Sequence, residues 1–203
     1  MKNHIRGRDQ FTKYKNVLYG LASIYRILPL KTRITLLERH RYSRGKLGCG
    51  IRFALLKSIA KKCGDNVFIG TGVFLLNAQN LILGSNISIH PMCYIECGPA
   101  PENYIEIDDD VSIAHGTTIM ATSHTYTDET TDTIRDMEAI SKPVHIFPNV
   151  WIGAKATILL GTTIQSGCVI GAHALVNKST ESDGIYVGVP AIRIKDRKQS
   201  KQK

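Results

Sequence analysis

The sequence predicts an all-β core wound as a parallel β-helix, with a helical extension at the N-terminal end and one protruding loop. Three observations carry this. Ile146, Ile152, Ile158, Ile164, Ile170 and Val176 form an unbroken aliphatic ladder spaced by six. Ile and Val together are 35 of 203 residues, so six consecutive hits lie far outside chance. A second ladder of small residues, Val150, Ala156, Thr162, Cys168 and Ala174, follows the first four places on. A period of six fits neither an α-helix nor a simple alternating strand. It fits a hexapeptide repeat, in which each step is a short strand and a tight turn.

In such a coil the aliphatic residue points into a narrow prism and stacks on its equivalent in the next coil. The small residue sits where the interior is tightest. Gly153, Gly161, Gly167 and Gly171 fall near the turns, where positive φ or close backbone approach is expected. A single coil buries little, so coils must stack to make a core. An earlier run keeps the period: Leu83, Ile89 and Ile95, then Ile107, Ile113 and Ile119. Pro99 and Pro101 between them predict a bulging turn near 97–104. Upstream, Ile69, Leu75 and Leu81 fit less cleanly, and the coil is expected to start near Cys63. The step from Ile119 to Ile146 is 27 residues, four sixes plus three, so the ladder is expected to break there. Residues 121–145 are mostly polar and read as a long loop leaving the coil. Loops of that length in a compact domain are usually functional or disordered. The period does not decide the hand, and the general rule for parallel crossovers favours a right-handed one.

The expected organisation is a basic, mainly helical extension over 1–62, a β-helix over 63–195 carrying the loop 121–145, and a basic tail over 196–203. Charge supports the first boundary. Residues 1–62 hold 16 Lys and Arg against 2 Asp and Glu, a net of +14, whereas the rest of the chain holds 10 against 15, a net of −5. Tyr14, Leu18, Leu21, Tyr25 and Leu28 recur at helical spacing within that basic segment. The open end of a β-helix leaves strands unpaired, so a helical cap is one role for it. A peripheral contact with an anionic membrane surface or an anionic glycan-lipid is another. Nucleic acid is disfavoured, because no recognition motif is present.

No apolar run approaches the ~18–20 residues that span a bilayer. The chain start lacks the layout of a secretory leader. Five scattered cysteines, Cys49, Cys63, Cys93, Cys97 and Cys168, offer no CxxC pair, which predicts reduced thiols and no metal. A cytoplasmic protein, working at the inner face of the membrane if the basic segment binds lipid, is the expected setting.

The segment Pro143-Val-His-Ile-Phe-Pro-Asn-Val-Trp-Ile-Gly153 resembles the PVxIGxxVWIG block of hexapeptide-repeat acetyltransferases. The run through Ile170-Gly-Ala172 continues it, and Tyr186-Val-Gly-Val-Pro-Ala191 is similar to the closing xxGxPA element. Ser123-His-Thr-Tyr126 opens the long loop where that family carries its catalytic histidine. The resemblance covers roughly residues 63–195 and lies closest to the galactoside, maltose and polysaccharide O-acetyltransferase branch. It implies a left-handed β-helix, a homotrimer with sites in the clefts between subunits, acetyl-CoA as donor and a carbohydrate acceptor.

Carried onto this chain, the resemblance makes His124 the general base. A sugar hydroxyl is a poor nucleophile at neutral pH, and a group with a pKa near ~6.5 can take its proton as it attacks the thioester. The oxyanion donor is not identified by sequence. His90 and Met92 fall where the family has acceptor-site residues, although His90-Pro-Met-Cys-Tyr94 departs from its usual Asn. Trp151 matches a tryptophan near the pantetheine and the neighbouring subunit, with a buried or interface aromatic as the alternative. Ala154 and Ala172 match small turn residues whose amides can meet the pantetheine arm. Asn177 and Lys178 match a Thr-Lys pair near the adenine and phosphate end. Lys195, with Arg193 beside it, matches a basic residue at the phosphates, where cationic groups are favoured; solvated charge is the alternative. His115 and His173 sit in turns, and His145 precedes a rung as a structural or cleft-lining residue.

Other functions fit the same sequence features. An acetyltransferase for a small hydroxylated antibiotic or a free sugar would share the donor chemistry. Zinc-dependent carbonic anhydration needs three converging histidines, and no two histidines here are five apart. A nucleotide-phosphate loop of the G-x-x-x-x-G-K-[ST] type is absent. A non-enzymatic β-helix scaffold would have no need of His124 or the long loop.

Overall fold

The computed structural model describes residues 7–125 and 133–197; residues 126–132 of the expected loop and 198–203 of the tail lie outside them. Three helices come first: α1 (Gly7–Arg26), α2 (Leu30–Arg39) and α3 (Gly45–Ile59). The chain then winds into a parallel β-helix of triangular section. Its first face stacks Lys62–Cys63, Leu81–Leu83, Ile105–Ile107, Val144–Ile146 and Thr163–Ile164. The second face stacks Phe68–Ile69, Ser88–Ile89, Ser112–Ile113, Trp151–Ile152, Val169–Ile170 and Gly184–Val187, and ends on the antiparallel strand Ile192–Asp196. The third stacks Phe74–Leu76, Tyr94–Glu96, Thr118–Met120, Thr157–Ile158 and Leu175–Val176.

The aliphatic ladder is the inside of this prism. Ile146 pairs with Ile107 and Ile164 on the first face. Ile152 pairs with Ile113 and Ile170 on the second, and Ile158 with Ile119 and Val176 on the third. All of these except Val176 are wholly buried, and Val176 is 2% exposed. Each such aliphatic side chain contributes roughly 1.5–3 kcal/mol relative to leaving it in water. The small-residue ladder is buried as well, at the inner corners: Val150, Ala156, Thr162, Cys168 and Ala174. Both expected reasons for turn glycines occur. Gly161 adopts φ +72, while a Cβ on Gly153 would lie 2.5 Å from the Ala172 amide nitrogen.

Two expectations about the ladder need correction. The step from Ile119 to Ile146 does not break it, because Ile146 resumes the column in register between Ile107 and Ile164. Inserted residues leave the coil at a corner, so their number need not be a multiple of six. The rung after Leu75 is Leu83, paired with Cys63 and Ile107, and not Leu81. All three departures from the period lie at one corner, where the third face passes to the first. They are the short turn 77–80, the bulge 97–104 and the segment 121–143. Asn77 and Asn80 tie the first two together by donating to the Cys97 and Gly98 carbonyls, each at 2.8 Å.

The excursion is not an open loop. Thr122–His124 pairs antiparallel with Ala139–Ser141, so its root is a two-stranded arm, and Val144 already belongs to the coil. At the N-terminal end, α3 closes the first coil with Phe53, Leu56 and Ile59, which join the same core as Val67 and Ile69. Phe11 of α1 packs edge-on against Phe53 at 5.3 Å. Lys15 and Tyr19 of α1 both donate to Asp65. Those two bonds hold the Asp65 carboxyl below its usual range, and burial pushes the Tyr19 hydroxyl up to about 12. Arg52, 2% exposed, donates to the Ile69, His40 and Ser43 carbonyls and so pins α3 to the first coil. At the other end Tyr186 takes the rung position over Ile170, and the Glu181 amide donates to its hydroxyl.

Candidate active site

The corner that collects the insertions also holds a cleft of about 440 Å³, lined by Glu96, Asn103, Thr122, Ser123, His124 and Ser141, with Pro99 and Ala139. The bulge 97–104 forms one wall and the paired arm the other. The arm's antiparallel register sets Thr122 opposite Ser141 and His124 opposite Ala139. Both of its strands spring from wholly buried residues, Ala121 and Val144. The base of the arm is therefore anchored in the coil, which a positioned catalytic group requires.

His124 is exposed on this wall, with Nδ1 3.5 Å from the Met137 carbonyl. That is the outer limit of a hydrogen bond. A proton on Nδ1 directed at this carbonyl leaves Nε2 with a free lone pair, the tautomer a general base needs.

Glu96 faces the same cleft and was not singled out by sequence. Its carboxylate accepts from Thr122 Oγ1 at 2.6 Å and from the Tyr94 hydroxyl at 2.8 Å. Tyr94 is fixed in turn by stacking on Phe74, with centroids 5.1 Å apart and planes 2° apart, and Arg41 lies over that Phe74 ring. Burial, and then the bond to Glu96, raises the Tyr94 hydroxyl pKa, so this group stays a donor. Each carboxylate oxygen keeps a further lone pair for a ligand. The available signal was phase: residues 97–104 and 121–143 both follow a rung of the third face, so stacking must bring them together.

The remaining candidate residues stand elsewhere on the chain. His90 and Met92 lie at the corner between the second and third faces. His90 packs edge-on to Phe68, and Met92 is 61% exposed with φ +62. Ala154 and Ala172 occupy the same corner in later coils, linked by the His173 amide, which donates to the Ala154 carbonyl. His115 is on that column too, with the Lys155 amide donating to its carbonyl. Trp151 projects from the second face between Ser112 and Val169, 54% exposed. Asn177 and Lys178 are exposed past the last rung of the third face. Lys195 is exposed on the final strand, but the Arg193 guanidinium is engaged by Glu181 at 2.7 Å and by Asp196 at 2.6 Å. The bond to Asp196, and after it the Tyr186 hydroxyl, raises its pKa further.

Within one chain, then, His124 and the Ala154–Ala172 column sit at opposite edges of the third face. That face is two or three extended residues wide, roughly 10 Å at ~3.3 Å per residue. His145 lies away from the cleft, its Nε2 3.0 Å from Asp108 Oδ2 and its ring stacked on Phe147. The cysteines are unpaired. Burial pushes the Cys63 and Cys97 thiols up to about 12, which keeps them protonated and poorly reactive.

Residues 143–178 match a family model described as bacterial transferase hexapeptide (six repeats). A probable acetyltransferase of Mycobacterium tuberculosis is 43% identical over 96 residues, which are 47% of this chain but only 32% of that protein's length. The galactoside O-acetyltransferase of Escherichia coli is 29% identical over 145 residues, 71% of this chain and 68% of that one. A galactoside acetyltransferase solved in complex with coenzyme A superposes with a TM-score of 0.71 at 26% identity, covering 81% of this chain and 78% of that one. The shared fold is the left-handed parallel β-helix with N-terminal helices.

Proposed function

We propose that the chain is a hexapeptide-repeat transferase, the family whose model residues 143–178 match, and that it moves an acetyl group from acetyl-CoA to a sugar hydroxyl. We place that hydroxyl on a surface polysaccharide or its lipid-linked precursor. The observation that carries the reading is the polar cleft that His124 overlooks. Six of its eight lining residues bear hydrogen-bonding side chains, which suits a hydroxyl-rich acceptor. An apolar antibiotic would leave those groups unpaired at a cost.

The chemistry follows from the positions of the groups. The acceptor hydroxyl attacks the thioester carbonyl while His124 Nε2 removes its proton. A C–O bond forms, and the carbonyl electrons move onto oxygen. The tetrahedral intermediate then collapses, breaks the C–S bond and expels the coenzyme thiolate, which takes the proton back from the imidazolium. No acyl-enzyme is needed. Glu96, held by Tyr94 and Thr122, binds acceptor hydroxyls, and Asn103 and Ser141 supply further hydrogen bonds.

Trp151, Ala154, Ala172, Asn177, Lys178 and Lys195 bind the coenzyme in this reading. The width of the third face between His124 and the Ala154–Ala172 column supports a C3 trimer in which one subunit's arm meets the neighbour's coenzyme corner. The basic N-terminal segment supports work at the cytoplasmic face of a membrane. The test is coenzyme A release from acetyl-CoA against a panel of sugars, bacterial glycans and hydroxylated antibiotics. A glycan-dependent signal is expected. No release with any acceptor, together with no acetyl-CoA binding by calorimetry, would leave the fold as a scaffold.

A further inference from the structure

α1 packs on the rest of the chain through one side only. Ala22 is 3% exposed, and Phe11, Leu18 and Tyr19 contact the core. Lys13, Val17, Gly20 and Ile24 follow at intervals of four, three and four, so they share the opposite side. Val17 is 70% exposed and Ile24 61%, and Ile27, just beyond the helix, is 83% exposed. A Cβ on Gly20 would meet nothing within 4 Å. Scattered apolar residues on a surface are ordinary, but Val17 and Ile24 stand two turns apart on one side of one helix with Ile27 just beyond it.

The charge of the helical segment that carries this row identifies its occupant. Lys13 stands on this side of α1, Lys31, Arg44 and Lys46 are exposed elsewhere on the helical segment, and residues 1–62 carry 16 Lys and Arg against 2 Asp and Glu. No helix among the described residues is long and apolar enough to cross a membrane. We propose that α1 docks in the plane of an anionic lipid surface, with Val17, Ile24 and Ile27 entering the acyl boundary and the Lys and Arg side chains meeting headgroup phosphates. An apolar row beside basic residues is the composition of an interfacial helix, and anionic lipid attracts each nearby cation. This deepens the lipid-linked branch of the proposed function but is read without acetyl-CoA, so each can fail while the other stands.

The experiment sediments the full chain with vesicles of phosphatidylcholine alone or with about one part in three of phosphatidylglycerol, whose anionic headgroups give the surface a negative potential. Wild type is compared with the Val17→Asn/Ile24→Asn double variant and with Gly20→Leu, and light scattering gives the mass of each. Binding is expected only to the anionic vesicles, weakening as salt rises. The double variant should lose about tenfold in partitioning, and Gly20→Leu, which extends the apolar row without a clash, should gain several-fold. The mass should not change. Absence of binding to anionic vesicles would overturn the proposal, as would binding indifferent to both sets of changes. A fall in mass on Val17→Asn/Ile24→Asn would instead assign the face to a second copy of the chain. Gly20→Leu keeps the test decisive if the double variant fails to fold.

Discussion

Truncating one interior rung should cost far more than truncating an exposed residue of the same type. Ile152 is wholly buried and is stacked between Ile113 and Ile170, which are also wholly buried. Ile152→Ala removes three carbon groups, worth about 2.4 kcal/mol at ~0.8 kcal/mol each. The rungs on either side are held in register by their own strand pairs, so the prism cannot close over the gap, and a cavity term adds to the loss. The total should be about 3–4 kcal/mol, inside the range of ~2–5 for buried Ile to Ala. Ile192, 62% exposed on the final strand, is the control; its truncation should cost less than about 1 kcal/mol. Urea unfolding at one fixed protein concentration checks both, because assembly would otherwise shift the midpoints. A loss at Ile152 no larger than that at Ile192 would refute the stacked-rung account of the core.

Arg52→Met should destabilise by about 2–4 kcal/mol in the same assay, since three carbonyls lose a charged donor. Arg52→Lys should recover only part, because an ammonium cannot reach acceptors spread around a guanidinium fork. Asp65 has a depressed carboxyl pKa, so its stabilisation is present above the ordinary value near ~3.9 and lost as pH falls through the folded value. Both partners are over a third exposed, so the effect is small, under ~1 kcal/mol. Asp65→Asn should lower the thermal midpoint at pH 7, and the gap to wild type should shrink as pH falls below the ordinary carboxyl range; a gap unchanged across the acid range would contradict the Lys15 and Tyr19 contacts. Glu96→Gln should raise the acceptor KM by about tenfold or more while leaving the acetyl-CoA KM unchanged, the signature of a lost charge-assisted bond in the acceptor pocket. Equal effects on both substrates would remove Glu96 from that role.

The coil was legible because its period is a packing constraint. Every sixth residue must fill the same narrow prism, and Ile146 through Val176 obey without exception. The corner insertions were only partly legible, because residues outside the prism carry no period. That is why Leu81 looked like the rung after Leu75, although Leu83 already headed the next run, and why a 27-residue step looked like a break. The paired strands of the arm were hidden for a different reason: Thr122–His124 and Ala139–Ser141 lack the apolar alternation that marks a strand. Glu96 reads in sequence as an ordinary outward position beside Ile95. Only the stacking of the arm over the previous coil sets it against Thr122. Arg52 sits in a basic helix like its neighbours, and nothing local separates a buried arginine from a solvated one. Arg193 shows the converse. Its position beside Lys195 suggested a phosphate contact, whereas the turn of the last coil engages it with Glu181 and Asp196.

In the proposed acetyl transfer, His124 takes the proton from the acceptor hydroxyl. The direct test is the rate of acetyl transfer to the best acceptor by wild type and by His124→Ala, with acetyl-CoA affinity measured on both by calorimetry. A rate loss of about 10²–10⁴, the usual worth of a positioned general base, is expected at unchanged affinity. A variant that keeps its rate to within a few-fold while still binding acetyl-CoA would contradict it.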